Sequence, residues 1–195
     1  MKRLLIGLDI DGVIVDSISS VLPMLSEICN RTVAYEDVTH PALTKFLNIS
    51  EAEAEYIWEQ ILETDLLQSS PEIDGAVESI SALSRHEIWL ITGRPSFLRG
   101  LTLSWLDKHR VKYDRIIFDS GKTEGNLSLE RHCNVFVEDQ LEVAKTLADS
   151  GVFTLLFNQP WNQAPSLPDN CRRVHTWDDI VLAVSRMESE IKGVG

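Results

Sequence analysis

The segment Leu8-Asp9-Ile10-Asp11-Gly12-Val13-Ile14-Val15-Asp16-Ser17 constrains the fold most, because it sets three acids into an otherwise apolar run. Carboxylates in such surroundings must be paired, solvated or bound to a cation. The residues before them, Leu4–Leu8, are too few for a helix and read as a strand. In an open α/β sheet, ligands bind beyond the carboxyl ends of the strands, which is where these acids fall. Along extended chain, Asp9 and Asp11 point to one side, and Gly12 lets the backbone turn directly afterwards. Two carboxylates side by side suit an oxygen-ligated cation such as Mg²⁺. A pair of turn-forming aspartates is the structural alternative.

Four more apolar runs read as strands: Glu87–Ile91, Arg115–Phe118, Asn134–Val137 and Val152–Phe157. Nearly unbroken apolar strands predict a parallel sheet covered on both faces, with helices as the connections. Asp74–Arg85, with Asp74 as N-cap, Ser96–Arg110, Leu141–Ser150 before Gly151, and Trp177–Ile191 capped by Thr176 supply those helices. In Ser96–Arg110, Phe97, Leu98, Leu101, Trp105 and Leu106 form one apolar stripe. The proline-bearing stretch Asn158–Asn170 reads as a loop.

The first two strands are separated by far more chain than a crossover needs. Residues 17–71 therefore read as a helical insertion, leaving 1–16 and 72–195 as the core. The clearest helix of the insertion starts at Ser50, which forms a capping box with Glu53. Ala54, Ile57, Trp58, Ile61 and Leu62 follow at the spacing of a packed face.

Composition narrows the function classes. Eighteen basic against thirty acidic residues give a net charge of −12, which opposes binding to nucleic acid polymers or anionic membranes. Residues 17–75 hold eleven acids and two bases, so an anion site is expected in the near-neutral remainder. A well-solvated helical surface is the simpler explanation of the imbalance. The apolar start of the chain is interrupted by Asp9 and Asp11 before it could act as a signal segment, and no run is long enough to span a membrane. Three cysteines without CxxC spacing suit a reducing, cytoplasmic setting.

Three other strand ends complement the acids. Thr92-Gly93-Arg94 offers a hydroxyl, a backbone amide and a guanidinium before a helix, a set that favours phosphate. Lys122, in Asp119-Ser120-Gly121-Lys122-Thr123, supplies a point charge, with Lys112 as the alternative. Glu138-Asp139 ends the fourth strand with two more acids. Arg94 is a candidate substrate contact or the donor of a helix-start salt bridge. Trp161, in the loop after the fifth strand, is a candidate for stacking on a base. His132 and Cys133 read as structural.

In that order the motifs resemble the haloacid dehalogenase-like superfamily, from Lys2 to about Phe157. Asp9-Ile10-Asp11-Gly12-Val13 looks like its first motif, Thr92 its second, Lys122 its third and Glu138-Asp139 its fourth. The resemblance implies an α/β fold: a Rossmann-like three-layer core with a mainly parallel sheet and a small helical cap inserted after the first strand. Asp11 points to the phosphatases of the superfamily, since its dehalogenases lack the second acid. The ends Phe118–Lys122 and Val137–Gln140, with Leu156–Asn162, look most like the 5′(3′)-deoxyribonucleotidase branch and related bacterial nucleotidases. Asn158-Gln159 stands where that branch often has an acidic-basic pair.

The resemblance implies a Mg²⁺-dependent phosphomonoesterase. Its expected catalytic residues are Asp9, Asp11, Thr92 and Lys122. Thr92, Gly93, Arg94, Lys122 and Trp161 are expected at the substrate, and Asp9, Asp11, Glu138 and Asp139 at the metal. The expected partner is a small phosphorylated metabolite, a nucleotide or alternatively a sugar phosphate, bound to a monomer or homodimer. A non-catalytic binding protein on the same fold is the reading of another class.

Overall fold

Parallel β1 (Leu5–Leu8) lies between β2 (Glu87–Thr92) and β4 (Val135–Glu138), and the whole six-stranded sheet runs β3-β2-β1-β4-β5-β6 with every pairing parallel. β3 spans Arg115–Phe118, β5 spans Phe153–Phe157 and β6 spans Cys171–Val174. The structure, a computed structural model, describes residues 3–119, 127–128 and 130–193.

Alternation along the central strands sends side chains to two cores. Ile6, Leu8, Ile88, Leu90, Val135 and Val137 pack with α5 (Ala76–Ala82), α6 (Arg99–Lys108) and α8 (Trp177–Gly193). Leu5, Trp89, Ile91 and Phe136 face the other way, toward α7 (Leu141–Asp149). Burial on both faces explains why the strands read as continuous apolar runs.

Sequence and structure differ at particular elements. β6 was not expected. It is an edge strand of four residues whose middle pair, Arg172 and Arg173, is not buried, so it carries no apolar run. α5 begins at Ala76 behind Gly75, not behind Asp74, because Gly75 takes a left-handed φ of 75° that starts the helix there. α6 begins at Arg99, after a short turn over Ser96–Leu98. The expected caps at Ser50 and Thr176 are formed: the Ser50 hydroxyl accepts from Glu53 N and Thr176 Oγ1 accepts from Asp179 N.

Between β1 and β2 come α1 (Ser17–Ile28), α2 (Leu43–Leu47), α3 (Glu51–Leu62) and α4 (Leu66–Ser69). They bury a small core of their own around Val21, Leu25, Ile57 and Ile61. The chain leaves and re-enters the sheet side by side. Val15 bridges Glu72 in antiparallel fashion, and Asp16 N donates to Pro71 O at 2.9 Å. The Asp16 carboxylate caps α1 by accepting from Ser19 N.

At the amino end of β1, buried His86 accepts from Leu4 N through Nδ1 at 3.3 Å, and its Nε2 lies 3.1 Å from Glu188 of α8. An accepting Nδ1 requires the proton on Nε2, the neutral imidazole. Burial holds His86 below its usual pKa; Glu188 opposes that shift, and Arg85 and Arg3 add to it. The unfolded chain therefore binds the proton more readily, so stability is present above the ordinary histidine pKa and is lost as pH falls below it. Urea midpoints measured from pH 7.5 to pH 5 should fall more steeply for the wild-type chain than for His86→Gln; parallel slopes would remove His86 as the cause.

Candidate active site

Register decides which carboxylates meet. Leu8 lies opposite Val137, so the residues that follow β1 and those that end β4 emerge abreast at the point where the strand order reverses. Asp9 N donates to Val137 O at 3.0 Å, which locks the two strand ends together. Oxygens of Asp9, Glu138 and Asp139 then lie within 4.8 Å of one another, and all three residues are buried.

Crowding three carboxylates in this way costs hydration and sets like charges against one another. Neighbouring N–H groups offset part of the cost. Glu138 Oε1 accepts from Asp139 N at 3.0 Å and from Gln140 N at 2.9 Å. Asp139 Oδ2 accepts from the Trp161 indole N–H at 2.8 Å. A compact set of hard, anionic oxygen donors fits a divalent cation of the Mg²⁺ type.

The turn after Asp9 is built by backbone. Ile14 N and Val15 N both donate to Ile10 O, and Gly12 N donates to Val15 O. Gly12 sits at φ +70°, and a Cβ there would lie 2.4 Å from Asp139 Oδ2. Only glycine combines that dihedral with so close an approach to the acid.

Asp11 points elsewhere. Its carboxylate is not part of the three-acid cluster; Arg94 grips it, with Nε to Oδ2 at 2.7 Å and Nη2 to Oδ1 at 2.6 Å. Burial opposes the charge of Arg94, but Asp11 and the more distant Asp9 outweigh it and push the guanidinium above its usual pKa. Arg94 is thus ion-paired with the loop after β1. Thr92 ends β2 fully buried, and its hydroxyl accepts from Arg94 N at 3.1 Å. Lys122 lies outside the described residues. Its alternative, Lys112, lies before β3 at the opposite end of the sheet, donating to Ser81 Oγ.

Above the acids opens a cavity of about 420 Å³, lined by Asp9, Asp11, Thr92, Gly93, Arg94, Asp139 and Trp161 below and by largely apolar side chains above. Phe46, Trp58, Leu62 and Leu67 come from the insertion, and Phe97 from the turn before α6. Phe97 is 70% exposed and Trp58 46% exposed, so neither belongs to the packed stripe that its spacing predicted. Helical spacing reports which residues share a face; it does not report whether that face meets protein or a cavity.

Several supporting residues escaped the sequence reading. Gln159 Nε2 donates to Gly12 O at 2.8 Å, and Tyr35 of the insertion donates to Gln159 Oε1 at 2.8 Å. Burial, reinforced by the carboxylates of Asp16 and Asp139, pushes the Tyr35 hydroxyl far above its ordinary pKa, so it remains a donor. Asn162 Nδ2 donates to both Asp139 O and Phe157 O, and Arg173 donates to Asn162 Oδ1. The sequence signal for Gln159 and Asn162 was their place in the loop after β5; Tyr35 and Arg173 carried none. Trp161, expected at a base, has its indole N–H on Asp139 and its ring tilted against Tyr35 at 5.8 Å.

Known proteins resemble this chain over most of its length. Residues 3–187 match the family described as "5′ nucleotidase, deoxy (Pyrimidine), cytosolic type C protein". The chain is 30% identical over 178 residues to "Putative nucleotidase YqfW" of Bacillus subtilis, covering 90% of this chain and 91% of that one. It is 28% identical to "Nucleotidase CA_C3379" of Clostridium acetobutylicum, covering 96% of each. Among solved structures, the haloacid dehalogenase-like hydrolase SP0104 of Streptococcus pneumoniae superposes with a TM-score of 0.68 over 93% of this chain and 98% of its own, at 13% identity, a likeness of fold.

The Gly12 contact yields a direct test. Gly12→Ala should destabilise the fold by roughly 1–3 kcal/mol through its dihedral alone, before any displacement of Asp139. Urea denaturation measures this; a variant as stable as wild type would mean that the turn relaxes freely.

Proposed function

The chain belongs to the 5′ nucleotidase, deoxy (pyrimidine), cytosolic type C family of haloacid dehalogenase-like hydrolases and is an enzyme of the phosphatase and nucleotidase kind, and from that premise we propose a Mg²⁺-dependent hydrolysis of nucleoside monophosphates through an aspartyl-phosphate. The observation that carries this reading is a buried cluster of acids at the floor of an apolar cavity.

In the proposed reaction an oxygen of Asp9 attacks phosphorus, and the bond from phosphorus to the leaving alcohol breaks. Water then attacks the same phosphorus and releases Asp9, so one difficult displacement becomes two easier ones. Asp11 gives a proton to the leaving oxygen in the first step and takes one from water in the second. Thr92 and Lys122, with the Asp11 and Gly93 amides, hold the phosphoryl oxygens; positioning and charge stabilisation are the main terms in such transfers. Asp9, Glu138, Asp139 and the Asp11 carbonyl would hold the cation. Bound Mg²⁺ would neutralise the repulsion between a carboxylate and a phosphate dianion. Glu138, committed to the Asp139 and Gln140 amides, keeps the turn of the fourth motif rigid.

We read residues 17–71 as a cap that roofs the phosphoryl site, with residues 1–16 and 72–195 as the catalytic core. The roof favours a nucleotide over a sugar phosphate. Phe46, Trp58 and Phe97 offer flat apolar surface, which suits a base and leaves the hydroxyls of a sugar without partners. Free thiols at Cys29, Cys133 and Cys171 suit a reducing compartment, in keeping with a cytoplasmic enzyme. Among the described residues, no helix is long and apolar enough to cross a membrane.

Phosphate release should be followed across nucleoside and sugar monophosphates with Mg²⁺ and with EDTA. Release is expected to depend on metal, to be led by nucleotides, and to fall on the order of 10³-fold or more in Asp9→Asn. Turnover by Asp9→Asn at the wild-type rate would remove Asp9 as the nucleophile. Trp58→Ala should raise KM for nucleotides about tenfold, in line with the worth of one stacking contact, while leaving sugar phosphates little changed. An equal effect on both classes would count against base recognition by the roof.

A further inference from the structure

Arg94 is a charged residue, yet it is only 8% exposed, and its side chain is held from both edges. One edge, Nε and Nη2, forks onto the two oxygens of Asp11 at 2.7 and 2.6 Å. On the other edge, Nη1 donates to Thr102 Oγ1 at 3.0 Å. Thr102 is itself directional, because its hydroxyl proton goes to Leu98 O at 3.0 Å and leaves a lone pair facing Arg94. The Arg94 backbone is pinned as well, through its N–H to Thr92 Oγ1.

From this geometry we infer that Arg94 is a positioning residue that aims the carboxyl of Asp11 into the cavity, with Thr102 as its anchor. The inference rests on the proposed role of Asp11 as proton carrier. Asp11 needs such an anchor. It sits on the turn beside a glycine, its side chain is 37% exposed, and the acids of the neighbouring cluster repel it. A planar fork fixes both the direction and the plane of a carboxylate, which a point charge cannot do. The fork comes from the loop after β2, tied to the end of β2 through Thr92 and to α6 through Thr102, so Asp11 is aimed from the sheet side and not by the residues between β1 and β2. With both edges of the guanidinium engaged, a phosphate could take Arg94 only by displacing Asp11.

Leaving-group chemistry separates aiming a proton donor from gripping phosphate. The leaving alcohol of a nucleoside monophosphate needs a proton as its bond to phosphorus breaks, whereas p-nitrophenolate departs as a stable anion. The full-length enzyme with Mg²⁺ should be assayed on its fastest nucleoside monophosphate and on p-nitrophenyl phosphate, for wild type, Arg94→Met, Arg94→Lys and Thr102→Val. In Arg94→Met, first-turnover release of the nucleoside should slow on the order of 10²-fold with KM changed by less than about threefold, and the first-turnover burst of p-nitrophenolate, which precedes the water-activation step that both substrates share, should slow by less than about fivefold. Arg94→Lys should stay impaired on the nucleotide, because it returns the charge without the fork. Thr102→Val should show the same bias, smaller, and it carries the comparison should Arg94→Met fail to fold.

Equal losses in first-turnover release from both substrates, or a raised KM on both that lysine restores, would overturn the inference and make Arg94 a phosphate ligand. A wild-type enzyme whose fastest turnover is insensitive to Asp11→Asn would instead overturn the role of Asp11, and the inference with it.

Discussion

The parallel pairing of β1 with β4 is the constraint from which the site follows. With Leu8 opposite Val137, the chain has no choice but to bring Asp9 beside Glu138 and Asp139, although some 130 residues of sequence separate them. That pairing concentrates negative charge in a place where water is scarce. Much of the surrounding structure can be understood as the arrangement that makes the concentration tolerable. The amides of Asp139 and Gln140 face Glu138, the Trp161 indole faces Asp139, and the Arg94 guanidinium faces Asp11.

Tryptophan has a recurring use around this centre. Trp161 donates to Asp139, Trp105 donates to Ser70 O where the insertion returns, and Trp177 donates to Val13 O in the first-motif loop. Each buries a large apolar body and spends its one N–H on a group that would otherwise lose its bond to water. Trp105 and Trp177 thereby couple α6 and α8 to the backbone flanking the site. Trp58 differs: its spacing, like that of Trp105, suggested a packed position, yet it lines the cavity.

Local signals were reliable where the physics is local. The Ser50–Glu53 box and the Thr176 cap satisfy donors within four residues, so no distant partner can change the outcome. The α5 start shows the limit, since Gly75 and not Asp74 ends up at the cap. β6 was illegible because an edge strand needs only backbone pairing, which Cys171–Val174 finds on β5 without an apolar run. Gln159, Asn162 and Tyr35 were illegible for a related reason: their importance lies in what they meet, Gly12 and Asp139, and neither partner is near in sequence.

The sequence by itself determined the parallel α/β class, the helical stretch between the first two strands, and the identity of the acids at the strand ends. These depend on apolar runs and spacing, which act along the chain. Only the tertiary structure decided how the acids divide. Asp9, Glu138 and Asp139 cluster because their strand ends are adjacent, while the side chain of Asp11, two residues on, turns to Arg94. It also decided that Trp58 and Phe97 roof a cavity instead of filling a core. A carboxylate or an aromatic ring takes its role from the groups within a few ångströms, and folding, not sequence neighbourhood, selects those groups.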